Sequence, residues 1–138
     1  MRRAVLDVNV LVSAFPAPTG TPALLIERWL LREYELVLSE HILMGLARAW
    51  AKPYFQARYS VDQAQHAVRL LRDYSTIVVP VTTVHGVADD EEDDLVLATA
   101  VAGSVSHLVT GDRGLLGLET YQGVDILTPI AFLGVLNQ

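Results

Sequence analysis

Three aspartates far apart in the 138-residue chain, Asp7, Asp93 and Asp112, stand beside apolar segments where acids are uncommon. Asp7 follows Val5-Leu6, Asp112 follows Leu108-Val109-Thr110-Gly111, and Asp93 belongs to the acidic run 89–94 just before Leu95-Val96-Leu97. Carboxylates gathered without lysines repel one another, and a hard cation is the usual remedy. An oxygen-only donor set suits Mg²⁺ or Mn²⁺, ions that keep several waters and bind substrate phosphates. An ion held in this way can activate water for in-line attack on a phosphodiester. Asn9, Ser13 and Thr110 lie nearby and could orient a carboxylate or a water. The first expectation is a metal site made of Asp7, Asp93 and Asp112, with these three polar residues in support.

Each acid also has a plainer reading. Asp7 could be a loop or cap residue, and Asp112 in Thr-Gly-Asp-Arg-Gly could be a turn residue. Most of the run 89–94 could simply complement the dipole at a helix N-terminus. Helical phase singles out Asp93. With Leu97 and Ala100 it follows i, i+4, i+7 spacing, which puts it at the top of the buried face.

The surrounding pattern supplies the elements that must position these residues. Short apolar runs over 3–8, 34–38, 76–81, 107–110 and 124–127 read as buried strands. A loop marked by Pro16, Pro18 and Gly20 leads to Thr21, a candidate cap with Pro22 behind it, and a helix over 23–32. Ser39 caps a helix over about 40–51 that Pro53 stops, and Ser60 caps another reaching 74. A further helix runs from the acidic run to 101, and Pro129 opens the last. Strands alternating with helices imply one α/β domain over 1–138, a three-layer α/β/α sandwich around a parallel sheet. Ligands in such sheets sit beyond the strand C-termini, where the strand order reverses. Asp7 and Asp112 both follow strands there.

Composition sets limits. Hydrophobic residues make up 51% of the chain, enough for a core, and cysteine is absent. Disulfides, thiolate zinc sites and cysteine nucleophiles are thereby excluded, and a reducing cytoplasmic setting without membrane association is expected. Net charge is −6, yet six of the sixteen acids lie in 89–94, leaving ten against ten bases. Nine of those bases are arginine, suited to bidentate phosphate contacts. Arg48, Lys52 and Arg113 are candidates for touching nucleic acid. The cluster Arg48, Trp50, Lys52, Tyr54, Phe55, Arg58 and Tyr59 could clamp RNA, or it could pack a helical hairpin or a dimer face.

In order and spacing, the segments Val5-Leu6-Asp7-Val8-Asn9, Gly20-Thr21-Pro22, Leu38-Ser39-Glu40, Lys52-Pro53, Leu95 to Ala100, Thr110-Gly111-Asp112-Arg113 and Thr128-Pro129 resemble a PIN domain. The resemblance covers nearly the whole chain and is to the branch of toxin components of toxin–antitoxin pairs. It implies a Mg²⁺- or Mn²⁺-dependent ribonuclease, a homodimer, and an antitoxin protein as partner. Asp7, Asp93 and Asp112 match the family's metal-binding acids, and Asn9 and Thr110 its supporting polar positions.

Two positions depart from that pattern. Gly45 stands where a glutamate is usual on the helix after the second strand, and Gly114 where a further acid often follows the fourth. Glu40 is about 140° around the helix from position 45, whereas His41 lies one turn back on the same side. A degenerate PIN domain that binds RNA or protein without cutting is therefore the competing expectation. A phospho-receiver domain would need a lysine near its last strand, and the only lysine is Lys52. A serine hydrolase would need Gly-x-Ser-x-Gly, which the sequence lacks.

Overall fold

The structure, a computed structural model, describes residues 1–16, 19–80, 84–88 and 90–138. Pro18, the end of the expected third strand at Val81, and Asp89 lie outside the described residues. Strand β1 (Arg3–Leu6) is pinned by Ala4, Val5 and Leu6, all fully buried. It pairs in parallel with β2 (Glu35–Leu38) on one side and β4 (His107–Val109) on the other. With β3 (Thr76–Ile77), β5 (Thr120–Tyr121) and β6 (Val124–Leu127), the sheet order is β3-β2-β1-β4-β6-β5. The order reverses between β1 and β4, and Leu6 is in register with Val109. The segments after these two strands therefore emerge side by side, which is where Asp7 and Asp112 begin.

The expected sheet around which the helices pack is present, with one refinement at its edge. It is mostly rather than wholly parallel, because β5 pairs antiparallel with β6. The turn joining them has positive φ at Gln122 and Gly123, the twist that a two-residue hairpin prefers. The third strand is also shorter than the run 76–81 suggested.

Helices cover the sheet. α2 (Thr21–Leu30) contacts α8 (Pro129–Leu136), which reaches β4. Tyr34 and Phe132 meet there edge to face at 5.1 Å, and the Tyr34 hydroxyl donates to the Leu25 carbonyl at 2.7 Å. In a second group, α3 (Glu40–Trp50) contacts α5 (Val61–Tyr74) and α6 (Glu91–Ala102), and α6 lies on β1, β2 and β4. The buried hydroxyls of Thr99 and Ser39 join α6 to the start of α3 at 2.8 Å, with Thr99 donating. That bond satisfies two polar groups in the core and fixes the spacing of the two helices.

Three local features differ from the sequence reading. Residues 8–14, expected as strand end and loop, form helix α1 (Val8–Ala14), capped by Asp7, whose carboxylate accepts from the Val8 amide at 2.7 Å. A short helix α4 (Pro53–Gln56) follows α3, so Pro53 opens a turn as well as ending one. Gly20, not Thr21, occupies the cap of α2, with φ at 106°. Asp112 caps the short helix α7 (Arg113–Leu116), in keeping with the strand and loop read before it.

Candidate functional site

Asp7 sits where β1 passes directly into α1, and burial there needs compensation. Its amide donates to the Val109 carbonyl at 2.9 Å, tying it to the neighbouring strand. Its carboxylate takes the Val8 amide on Oδ1, and on Oδ2 the Thr110 hydroxyl at 2.8 Å and the Asn9 side-chain amide at 3.2 Å. Asn9 in turn accepts from the Gly111 amide at 2.9 Å, and Thr110 accepts from the Asp112 amide at 3.0 Å. Asn9 and Thr110 thus hold Asp7 and the loop after β4 as one network. Burial raises the Asp7 carboxyl above the usual aspartate value, and the charge of Asp112 adds to it; the three donors oppose both.

Asp7 lines a cleft of about 580 Å³. Its acidic side is completed by Glu92 and Asp93 at the start of α6. His41, Gly45 and Arg48 of α3 also line the cleft, with Lys52 and Phe55. Asp93 is pushed up to about 6, first by burial and then by the charges of Asp112, Asp90, Asp7 and Glu92. The cleft therefore carries negative charge that its own side chains leave unbalanced. Arg48 makes a 3.5 Å ion pair with Glu92, but both groups are exposed and the pair contributes little.

Asp112 is placed differently. It lines an adjoining hollow of about 380 Å³ with Gly111, Pro129 and Asn9, and Asn9 borders both spaces. One of its oxygens accepts from the Leu115 amide at 2.8 Å as the cap of α7. The charge of Asp112 reaches both Asp7 and Asp93, yet Asp112 lines the adjoining hollow and not the cleft. Among the described residues, no three acids or histidines stand close enough to close around an ion by themselves.

The remaining predicted residues divide. Arg48 and Lys52 face the cleft, while Arg113 opens α7 and does not line it. Ser13 is exposed on the last turn of α1 and lines neither space. In the aromatic and basic cluster, Trp50 is buried and donates to the Val12 carbonyl at 3.2 Å; its ring packs on Phe15 and Tyr59. Arg58 stacks on Tyr54. The cluster thus splits between packing and the cleft wall at Phe55. Glu40 pairs with Arg72, away from the cleft, and Gly114 is exposed on α7.

Phase reasoning missed the role of Asp94. It is Asp94, not Asp93, that is buried, accepting from the amides of Gly86 at 2.9 Å and Ala88 at 2.7 Å. It anchors the segment before α6 and leaves Asp93 half-buried at the cleft. Asp94, Leu97, Ala98 and Val101 form an equally good i, i+3, i+4, i+7 series, the signal that could have found it.

Two other hollows of comparable size carry mainly apolar linings. One of about 540 Å³ lies between α3 and α5, and one of about 490 Å³ lies beside Trp29 and Leu70. No described helix is long and apolar enough to cross a membrane.

Comparisons with known proteins agree with this architecture. VapBC2 from Rickettsia felis, in a crystal structure bound to a DNA fragment from their promoter, aligns with TM-score 0.64 and 15% identity. That match covers 91% of this chain and 98% of the other. FitAcB from Neisseria gonorrhoeae aligns with TM-score 0.62 and 18% identity, covering 92% and 98%. No curated protein matches the sequence. At these identities the structural likeness establishes the fold. A sequence profile of the PIN domain matches residues 3–114, and with the strand order and the Asp7 network in view, the chain belongs to the PIN-domain family.

Proposed function

We propose that this chain is a divalent-metal-dependent ribonuclease, the toxin of a toxin–antitoxin pair, acting in the cytoplasm. The observation that carries this reading is a single cleft lined by Asp7 and Asp93 together with Arg48 and Lys52. An oxygen-only donor set with unbalanced negative charge fits Mg²⁺ or Mn²⁺. Asp7, Asp93 and Asp112 would hold the ion, and the sparse protein ligation suits a cation that keeps several waters. Such an ion, when bound, supplies an activated water and stabilises charge on the leaving oxygen.

The chain's own side chains bind and orient. Asn9 and Thr110 hold the Asp7 carboxylate in one rotamer. Arg48 and Lys52 offer cationic contacts to phosphates on either side of the scissile bond, and Arg48 would leave Glu92 to make its own. Phe55 offers a face on which an unstacked base can rest, which favours single-stranded RNA. The sequence resemblance supports an antitoxin partner and a homodimer. Likeness in fold to VapBC2 and FitAcB supports the same assignment.

Purified protein should cleave single-stranded RNA with Mg²⁺ or Mn²⁺ and lose this on chelation or in Asp93→Asn. Growth arrest on expression, relieved by the product of a short neighbouring reading frame, would test the toxin role. Gly45 and Gly114, standing where acids are usual, favour a second reading: a module that binds RNA without cutting. Metal and RNA binding with no cleavage would select it.

A further inference from the structure

His41 lies on the first turn of α3, one turn before Gly45, and lines the same cleft as Asp7 and Asp93. The carboxylate next to it in sequence, Glu40, is engaged by Arg72 and is not its partner. Gly45 lets α3 approach α1 closely, since a Cβ there would stand 3.1 Å from Val8 Cγ2. Val8 follows Asp7 directly, so Gly45, and His41 one turn before it, share the cleft with the β1–α1 junction. The charged groups that share the cleft with His41 are Asp7 from the β1–α1 junction, Glu92 and Asp93 from α6, Arg48 from α3 and Lys52 after it.

Phosphodiester hydrolysis leaves a ribose oxygen that must gain a proton as the bond to phosphorus breaks. Carboxylates holding a cation are poor donors. A guanidinium keeps its proton throughout, and a lysine ammonium ordinarily releases one only well above neutral pH. Imidazole is the side chain that ordinarily exchanges a proton between about pH 5 and 8, and His41 brings one to this cleft.

We infer that His41 is a catalytic residue, the proton donor to the leaving ribose oxygen, an assignment that rests on the ribonuclease reading above. Water's oxygen bonds to phosphorus while the phosphorus–ribose oxygen bond breaks and its electron pair moves onto the ribose oxygen. That oxygen takes the proton of the His41 imidazolium. The attacking water gives its own proton to solvent, and solvent reprotonates His41. One water is consumed, leaving one hydroxyl end and one phosphate monoester end. General acid catalysis by a positioned histidine contributes roughly 10²–10⁴-fold.

Wild type, His41→Gln and His41→Arg are compared on a single-stranded RNA oligomer and on bis(p-nitrophenyl) phosphate, whose nitrophenolate leaves without a proton. For His41→Gln, kcat on RNA should fall roughly a hundredfold with KM within about twofold, and the alkaline limb of the kcat profile should vanish. Its rate on the nitrophenyl diester should match wild type. His41→Arg, which keeps positive charge but cannot give a proton, should be as slow on RNA as His41→Gln. Equal losses on both substrates, or an RNA rate restored by His41→Arg, would overturn proton donation in favour of a charge contact. If His41→Gln melts early, the wild-type profile decides alone, and absence of an alkaline limb overturns the assignment. Wild-type protein that leaves RNA intact, or cuts it regardless of Asp93→Asn, brings down the ribonuclease reading and this inference with it. Failure of the His41 arms alone leaves the ribonuclease standing.

Discussion

Asp7 and Asp93 face the same cleft but are built on opposite terms. Asp7 is buried, caps a helix, and accepts three hydrogen bonds from Val8, Asn9 and Thr110. Asp93 is half-buried at the start of α6; its side chain accepts no hydrogen bond among the described residues, and burial, then four neighbouring carboxylates, push its pKa to about 6. One acid is fastened by the fold, and the other is held in place against repulsion. Fastening serves stability and repulsion stores affinity for a cation, so mutating the two should separate folding from function.

The largest separation is expected at Asp93. Asp93→Asn should lower metal-dependent RNA cleavage by at least roughly a hundredfold, the scale on which removing one charge-stabilising group acts. Its stability at neutral pH should equal or exceed that of wild type, because no fold contact is lost and a repelled charge is removed. A strongly destabilised Asp93→Asn would show that this acid is fastened too. Asp7→Ala should cost stability as well as cleavage. Loss of the α1 cap costs roughly 1–2 kcal/mol, and the buried Thr110 hydroxyl loses its acceptor. Denaturant titration in metal-free buffer reads this directly, and full stability in Asp7→Ala would break the contrast.

Much of that contrast was legible in the sequence, and its limits have physical causes. The apolar strands and the Ser39 and Ser60 caps stand out because burial and capping leave short-range marks. Asp7 and Asp112 followed from where they sit relative to strand ends. Helix α1 was hidden because Val8, Val10 and Val12 are β-branched and lengthen the apparent strand; tertiary packing against α2 and α3 overrides that propensity. Asp93 and Asp94 were hard to separate because α6 buries Val96, Leu97, Ala98, Thr99 and Ala100 in succession. A helix covered nearly all round gives phase little to discriminate. Strand β5 has two residues and a Gln-Gly turn in place of the commoner Asn-Gly, too short a signal to read.

The next effect is electrostatic. In the metal-free protein the Asp93 carboxyl is raised to about 6 from 3.8, first by burial and then by Asp112. The folded state holds a proton there that the unfolded chain has released. Its contribution to stability is therefore present below about pH 4 and disappears as pH rises through about 6. Asp112→Asn removes the largest of the charges, so Asp93 should titrate lower and stability should fall less over that window. Carboxyl-detected NMR titration checks this, and an Asp93 that titrates as an ordinary aspartate would mean the three acids do not converge. Saturating Mg²⁺ should abolish the proton uptake, since the ion competes for the same oxygens.

The smallest effect, at Gly45, tests whether the site lacks an acid by accident or by packing. Alanine in a helix interior is favoured over glycine by roughly 1 kcal/mol. Here the new Cβ would stand 3.1 Å from Val8 Cγ2, tighter than ordinary contact, so Val8 must yield by a few tenths of an ångström. Val8 opens α1 directly after Asp7, so displacement there disturbs the fastened carboxylate. Gly45→Ala should therefore gain less than about 1 kcal/mol in stability and slightly weaken metal binding. Gly45→Glu should raise metal affinity only when Val8→Ala relieves the crowding. Calorimetric Mg²⁺ titration of Gly45→Glu, alone and with Val8→Ala, separates the two accounts. If Gly45→Glu alone improves binding, the glycine is an acid lost without compensation. If the pair is needed, glycine at 45 keeps α3 against α1, and the missing carboxylate is a consequence of how tightly the site was packed.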